Sequence, residues 1–299
     1  MAHDHSHTSS TASKLMLAIG VLAVGLVAQV LGAVLSGSLA LAADAAHMVS
    51  DLGGLFLALF ATIVAARPAT DRRTFGYRRA EVLGALANGL ILLILAVYVG
   101  VEGIRRLTLV DDPQVAGVPM LIVALIGGIA NFSALMILRG GTGINMRAAR
   151  LEVVGDLMGS AAVVVAAIVL LATGFAQADA IASLLIAVMI VPRAISLLRD
   201  VVRILLLSTP RETDLEQIRA HVLGTAGVQA IHDVHVWQIT SGEPVFTAHV
   251  VVEPDYFESG KTDRLLDELT GCLKGHFDVD HSTFQLEPAE HTGHEQTHR

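Results

Sequence analysis

The sequence predicts an α-helical membrane protein with six transmembrane helices, followed by a small cytoplasmic α+β domain. Three observations carry that prediction. The 299 residues are 53% hydrophobic and only 16% charged, with a mean hydropathy of +0.63, whereas an ordinary soluble domain is about 25% charged. Charge is also placed unevenly: residues 208–299 carry 16 acidic and 6 basic side chains, a net of −10, while residues 1–207 net +2. Finally, long apolar stretches recur six times before Leu207 and stop after it. About 20 residues, each rising 1.5 Å, cross a hydrocarbon core of roughly 30 Å.

No charged residue lies between Lys14 and Asp44. That run is too long for the apolar region of a signal peptide, so it reads as a retained membrane helix. Helices are expected at Leu15–Val34, Leu39–Ala66, Ala80–Ile104, Val115–Leu138, Arg150–Thr173 and Asp179–Leu198. Turn chemistry separates them at Ser36-Gly37-Ser38, Arg67-Pro68, Asp112-Pro113, Gly140-Gly141 and Thr173-Gly174. The second loop carries Arg67, Arg72, Arg73, Arg78 and Arg79, and the fourth carries Arg139, Arg147 and Arg150. Arg193, Arg199 and Arg203 close the sixth span, while the first and fifth loops hold no Lys or Arg; Arg105 and Arg106 are the exceptions. The positive-inside rule therefore places both termini in the cytoplasm, as expected of a multi-pass protein of the plasma or inner membrane.

After Leu207 the pattern changes. Thr209-Pro210-Arg211-Glu212 reads as a capping-box helix start, followed by Leu215, Ile218, Val222 and Leu223 at helical spacing. Strands are expected at Val228–Ile239 and Val245–Glu253, joined around Ser241-Gly242. A helix bearing Leu265, Leu266, Leu269, Leu273 and Phe277 and a last strand at Thr283–Glu287 complete the domain. The expected division is a His-containing tail at 1–13, a transport domain at 14–207, a cytoplasmic domain at 208–288 and a second His-containing tail at 289–299. His3, His5 and His7, with His291, His294 and His298, either bind metal weakly or are simply polar. The single Cys272 excludes an internal disulfide and a multi-Cys metal site, and the acidic soluble part excludes a nucleic-acid footprint.

Five ionisable residues stand inside spans: Asp44, His47 and Asp51 in the second, Glu152 and Asp156 in the fifth. Each costs about 2.5–3.5 kcal/mol at mid-bilayer, so each needs compensation. His47 and Asp51 are four apart, as are Glu152 and Asp156, which puts each pair on one helix face, one turn apart. Counting 1.5 Å per residue, Asp51 lies about 18 Å and Asp156 about 21 Å from the outer edge. One imidazole and three carboxylates at one depth suit a tetrahedral cage for a divalent ion such as Zn2+. The bland alternative is a set of buried polar residues satisfied by interhelical hydrogen bonds. Gly155 and Gly159 form a small-xxx-small pair that suits close helix approach. Asp44 reads as a mouth or helix-packing residue, and Glu81, Asn88 and Asn131 as interhelical glue.

The segment Leu41-Ala42-Ala43-Asp44-Ala45-Ala46-His47-Met48-Val49-Ser50-Asp51 resembles the second-helix motif of the cation diffusion facilitator family. So does Phe75-Gly76-Tyr77-Arg78-Arg79-Ala80-Glu81-Val82 at the start of the third helix. Ile231-His232-Asp233-Val234-His235-Val236-Trp237 and His281-Ser282-Thr283-Phe284-Gln285-Leu286-Glu287 resemble its cytoplasmic motifs. The resemblance runs from about Leu15 to Glu287. It implies a homodimeric metal/proton antiporter exporting Zn2+ or similar ions, with a ferredoxin-like cytoplasmic domain that dimerises and binds metal. His47, Asp51 and Asp156 match the family's transport-site residues, while Glu152 replaces the His usual in its zinc branch. A harder, more anionic cage favours oxygen-loving metals, which keeps Co2+, Fe2+ and Mn2+ open beside Zn2+, with Cd2+ a further possible ion from the resemblance. In the cytoplasmic domain the resemblance points to His232, His249 and Glu287 as metal ligands, with His235 and His281 as possible additions.

These readings converge on alternating access around one midmembrane site, with metal ion and protons as the exchanged species and the bilayer as solvent. Metal would enter from the cytoplasm and displace protons; external protons would compete it off. A metal-sensing membrane protein without transport is the alternative from another class, although no output motif is present. An enzyme is not expected, because four protein ligands leave no open position for water.

Overall fold

The computed structural model describes residues 6–108, 114–139, 144–277, 279 and 281–291. Six long helices come first: α1 Ser6–Ser36, α2 Leu39–Ala65, α3 Ala80–Thr108, α4 Gly117–Ile137, α5 Ile144–Thr173 and α6 Gln177–Leu205. Among the described residues five are long and apolar enough to cross a membrane, and α2, at 27 residues, has the length as well. Their outward faces remain apolar, with Val24, Val34, Phe56, Leu151 and Val188 largely exposed, which suits contact with lipid rather than water. The expected turns at residues 112–113 and 140–141 lie outside the described residues, as do His3, His5, His294 and His298 and the side chains of His7 and Arg147.

The break between α1 and α2 follows from its sequence. Gly37 takes φ +67°, which a side chain would resist, and its amide donates to the Ala33 carbonyl at 3.1 Å. The Ser38 hydroxyl then accepts from the Leu41 amide at 3.0 Å, capping α2. Glycine also sets the α1–α4 distance: a Cβ on Gly25 would stand 2.8 Å from the Ala130 Cβ. Leu39, Leu41, Leu92, Met120, Val163 and Ile186 are buried together at the centre of residues 1–57 and 87–197, which form one compact unit. Pro192 sits inside α6 and lacks an amide, so the Val188 carbonyl has no i+4 donor there.

The second unit comprises residues 58–86 and 198–299. Its folded body runs α7 Leu215–Leu223, β1 Val228–Gln238, β2 Pro244–Val252, α8 Pro254–Glu258, α9 Thr262–Phe277 and β3 His281–Glu287, then a 3₁₀ turn at Ala289–His291. The sheet order is β1-β2-β3, with β1 antiparallel and β3 parallel to β2. Ile218 and Val222 of α7 and Leu265, Leu269 and Leu273 of α9 bury against Phe246, Ala248, Val250 and Val252 of β2. The period-four leucines of α9 and the alternation on the strands are what the sequence predicts.

The first helix of this unit corrects an expectation. Pro210 and Arg211 lie in a turn, and α7 begins at Leu215 because Asp214 takes the cap, accepting from the Glu216 and Gln217 amides at 2.9 and 3.2 Å. In the same unit, Arg78 pairs with Glu243 at 2.8 Å, and the Thr240 hydroxyl donates to Glu81 at 2.9 Å. Phe75 meets the His281 ring edge-on at 5.8 Å.

Candidate metal centre

Helix α2 presents three polar side chains at one-turn steps, and α5 brings two more. His47 Nε2 lies 3.5 Å from an Asp51 oxygen and 3.4 Å from an Asp156 oxygen. One ligand atom from each of the three falls within 4.8 Å of the others. Zinc bonds of about 2.0–2.1 Å at tetrahedral angles set ligands about 3.4 Å apart, so these separations match the edges of such a cage. Asp51 Oδ2, Asp156 Oδ1 and His47 Nδ1 are buried and make no hydrogen bond among the described residues. Buried carboxylate oxygens of that kind are costly unless a cation or proton joins them.

Glu152 is placed differently. Its carboxylate accepts from Arg193 Nη2 at 3.0 Å, and it stands outside the three-residue group. Arg193, on α6, also reaches His47 Nε2 with Nη1 at 2.7 Å, so one guanidinium bridges the second and fifth helices. A cavity of about 370 Å3 opens beside these groups, lined by His47, Glu152, Gly155, Gly159 and Arg193 among others.

Asp44 also lines that cavity, but its carboxylate is already engaged by hydrogen-bond donors. It is buried, and its carboxylate accepts from Gln29 Nε2 at 2.8 Å and the Ser160 hydroxyl at 3.2 Å. Asn131 donates in turn to Ser160 at 3.1 Å, and the Ser50 hydroxyl donates to Asn88 at 2.9 Å. These interhelical bonds are the glue expected of such residues. Of the two glycines in α5, only Gly159 permits close approach: a Cβ there would lie 2.8 Å from Asp44 Oδ1, while one on Gly155 meets nothing within 4 Å.

A second cluster sits on the small sheet. His232 and His249 are direct cross-strand partners on β1 and β2, with rings 5.2 Å apart. Glu287 arrives on β3 opposite Val251, two residues from His249 and on the same face. Its oxygens lie 2.5 Å from His232 Nε2 and 3.6 Å from His249 Nδ1. Glu287 is 2% exposed, and its Oε2 makes no hydrogen bond among the described residues. One ligand atom from each of the three also falls within 4.8 Å of the others. A bulge follows, since β1 uses three residues from His232 to His235 while β2 uses two, and Asp233 takes φ +47°. His235 is turned to Asp233 at 3.1 Å, and His281 meets Phe75 edge-on, so neither joins the cluster.

Residues 15–206 match the cation efflux transmembrane domain, and residues 210–289 match the cation efflux protein cytoplasmic domain. The chain belongs to the cation efflux, or cation diffusion facilitator, family. Among its cation efflux relatives, the zinc transporter ZitB of Pectobacterium atrosepticum is 41% identical, over 96% of this chain and 89% of that protein. The metal cation efflux system protein CzcD of Cupriavidus metallidurans is 38% identical over 96% and 90%. A Bacillus subtilis protein named as a cadmium, cobalt and zinc/H(+)-K(+) antiporter is 33% identical over 96% and 93%. The solved metal-bound C-terminal domain of the CzcD transporter is 36% identical, covering 25% of this chain and 99% of that domain at a TM-score of 0.23.

Two contributors to this cation efflux fold are missed by sequence reasoning. Arg193 looks like an ordinary inside-loop arginine, and only the packing of α6 beside α2 and α5 reveals its reach. Asp179 looks like the start of a helix. It accepts from the Ser38 hydroxyl at 2.5 Å and from the Leu39 and Ala40 amides at 2.8 and 3.1 Å, and thereby ties α6 to the first turn of α2. Arg106 Nη1 adds a contact to it at 3.4 Å. The available signal was a carboxylate at a span end, facing a helix whose first amides need acceptors.

Proposed function

We propose that this protein exports divalent metal ions, Zn2+ foremost, in exchange for protons, by alternating access around a site built from His47, Asp51 and Asp156, with Glu152 as a fourth arm. The carrying observation is the spacing of His47 Nε2 from the two aspartate oxygens, 3.4 and 3.5 Å, beside buried carboxylate atoms that lack hydrogen bonds. The names of the relatives, zinc transporters and a cadmium, cobalt and zinc antiporter, support the same cargo and the coupling to protons. Metal binds only to the deprotonated groups, so loading from the cytoplasm releases protons, and protons from the far side displace the ion. Both termini face the cytoplasm of a cell that carries the protein in its plasma or inner membrane. Residues 14–207 form the transport domain and residues 208–288 the cytoplasmic metal-binding and dimerisation domain.

The cytoplasmic cluster has a separate role. His232, His249 and Glu287 fit a divalent ion, because a buried carboxylate oxygen and two imidazoles converge on one point. In an acidic domain such an ion lowers the repulsion between two copies, which favours a homodimer.

Flux into proteoliposomes tests the proposal: Zn2+, Cd2+, Co2+ and Mn2+ are compared under an imposed proton gradient. Zn2+ uptake that follows the gradient is expected, and Asp51→Ala or Asp156→Ala should abolish it. Wild-type flux in both variants would overturn the membrane site. Binding without gradient-driven flux would leave a metal sensor instead.

A further inference from the structure

Arg193 has no counterpart in the cage as the sequence frames it, yet it makes the shortest polar contact that His47 has. A guanidinium only donates hydrogen bonds. The 2.7 Å contact therefore makes His47 Nε2 the acceptor, and that nitrogen has a single lone pair. A metal ion would need the same lone pair at about 2.0–2.1 Å. Arginine and metal are thus mutually exclusive at His47. The second arm of the same guanidinium holds Glu152 at 3.0 Å, and a guanidinium forked between two acceptors is geometrically selective. Glu152 is accordingly the one carboxylate of the four-residue set outside the converged group.

We propose that Arg193 is a tethered cation that competes with the transported divalent ion for His47 and draws Glu152 off the cage. This rests on the reading of His47, Asp51 and Asp156 as the transport site. Loading then requires the guanidinium to swing away, freeing the His47 lone pair and the Glu152 carboxylate together; its return favours unloading. The device has room to work: the Arg193 side chain is 42% exposed, Glu152 is 45% exposed, and both line the cavity beside the cage. It also keeps a positive charge near Asp51 when no metal ion is bound, which offsets part of the cost of that partly buried carboxylate.

Competition of this kind lowers apparent affinity by the fraction of molecules in which the competitor has left. If Arg193 has left in about one molecule in ten, removing it tightens cargo binding about tenfold. The experiment measures Zn2+ flux into proteoliposomes by the full chain, wild type against Arg193→Gln, with KM and kcat separated. The expected result is a KM about tenfold lower, with a lower kcat because unloading is slowed. A KM unchanged or raised overturns the proposal; damage to the fold alone lowers kcat and leaves KM in place. Arg193→Lys provides the second reading, since one ammonium cannot span both acceptors: its KM should fall in the same direction by less, and an unchanged KM again overturns the proposal. Asp51→Asn and Asp156→Asn run alongside. If they abolish flux while Arg193→Gln keeps its KM, only the arginine inference fails; if they transport normally, the site itself is wrong.

Discussion

Replacing Asp179 by alanine should disable transport from a distance. The carboxylate is 1% exposed and accepts from three donors at the start of α2: the Ser38 hydroxyl and the Leu39 and Ala40 amides. Alanine leaves these buried donors without their acceptor, and each such loss costs about 1–3 kcal/mol. Arg106 loses one contact but keeps Glu102 at 3.2 Å, so it is not stranded. Together the loss is about 3–5 kcal/mol, in the range seen when one partner of a buried polar set is removed. For a chain of this size that lowers the melting temperature by on the order of 10 °C. The functional effect follows from geometry, since eight residues at 1.5 Å place His47 about 12 Å down the same helix. Fraying of the first turn of α2 lets that imidazole shift relative to Asp156, and a metal cage tolerates little such shift. Thermal unfolding of the detergent-purified variant, monitored by size-exclusion chromatography, reads the first effect and Zn2+ flux reads the second. Ser38→Ala, which removes one of the three donors together with the acceptor of the Leu41 amide, should lose about 1–2 kcal/mol. An Asp179→Ala protein that melts within about 2 °C of wild type and transports normally would refute the capping argument.

Three further outcomes are expected. Gly159→Ala forces a methyl to 2.8 Å from Asp44 Oδ1 and should cost about 1–3 kcal/mol, whereas Gly155→Ala meets open space and should leave stability equal or slightly higher; paired melting curves decide it. Glu287→Gln keeps the buried volume but removes the charge between His232 and His249, so equilibrium dialysis of the full chain should find one fewer Zn2+ per protomer. The Cys272 thiol is held above its ordinary pKa, first by burial and then by the Glu268 charge. A raised pKa means less thiolate at a given pH, so maleimide labelling at mild alkaline pH should run slower than for free cysteine. Glu268→Gln should speed labelling without reaching the free rate, because burial is the larger cause; a rate equal to that of free cysteine would contradict that order, and unchanged kinetics would remove the Glu268 contribution.

The sequence made some of this legible because local spacing carries it. His47 and Asp51 share a helix face by their four-residue interval, and the sixfold recurrence of apolar runs needs no tertiary knowledge. The cytoplasmic strands follow from alternation, whereas the placing of His232 opposite His249 comes from the β1–β2 register. What stayed hidden depends on neighbours. Glu152 satisfies the same spacing rule relative to Asp156, yet Arg193 on a third helix redirects it. Thr209-Pro210 carries a helix-start signature, but Asp214 outcompetes it because its carboxylate reaches two amides at once. Gly155 and Gly159 look equivalent in sequence, and only the position of Asp44 tells them apart.

Along α2 the bonding state of each polar group separates support from chemistry. Asp44 accepts from Gln29 and Ser160, two neutral donors on different helices, and Asn131 extends that chain. A carboxylate so satisfied holds three helices together and has little reason to take a metal ion. Two turns further along α2, the Asp51 oxygen and its Asp156 counterpart on α5 lack hydrogen bonds while standing near an imidazole nitrogen. Leaving such atoms without hydrogen bonds lowers stability, so the arrangement is best explained by a cation that offsets the cost, whether cargo or Arg193. The two functions can thus be uncoupled by mutation. Removing Gln29 should weaken the fold while the residual protein still binds Zn2+, and removing Asp156 should abolish binding while changing the melting temperature little. If both substitutions cost the same property, rigid support and cargo binding share one network.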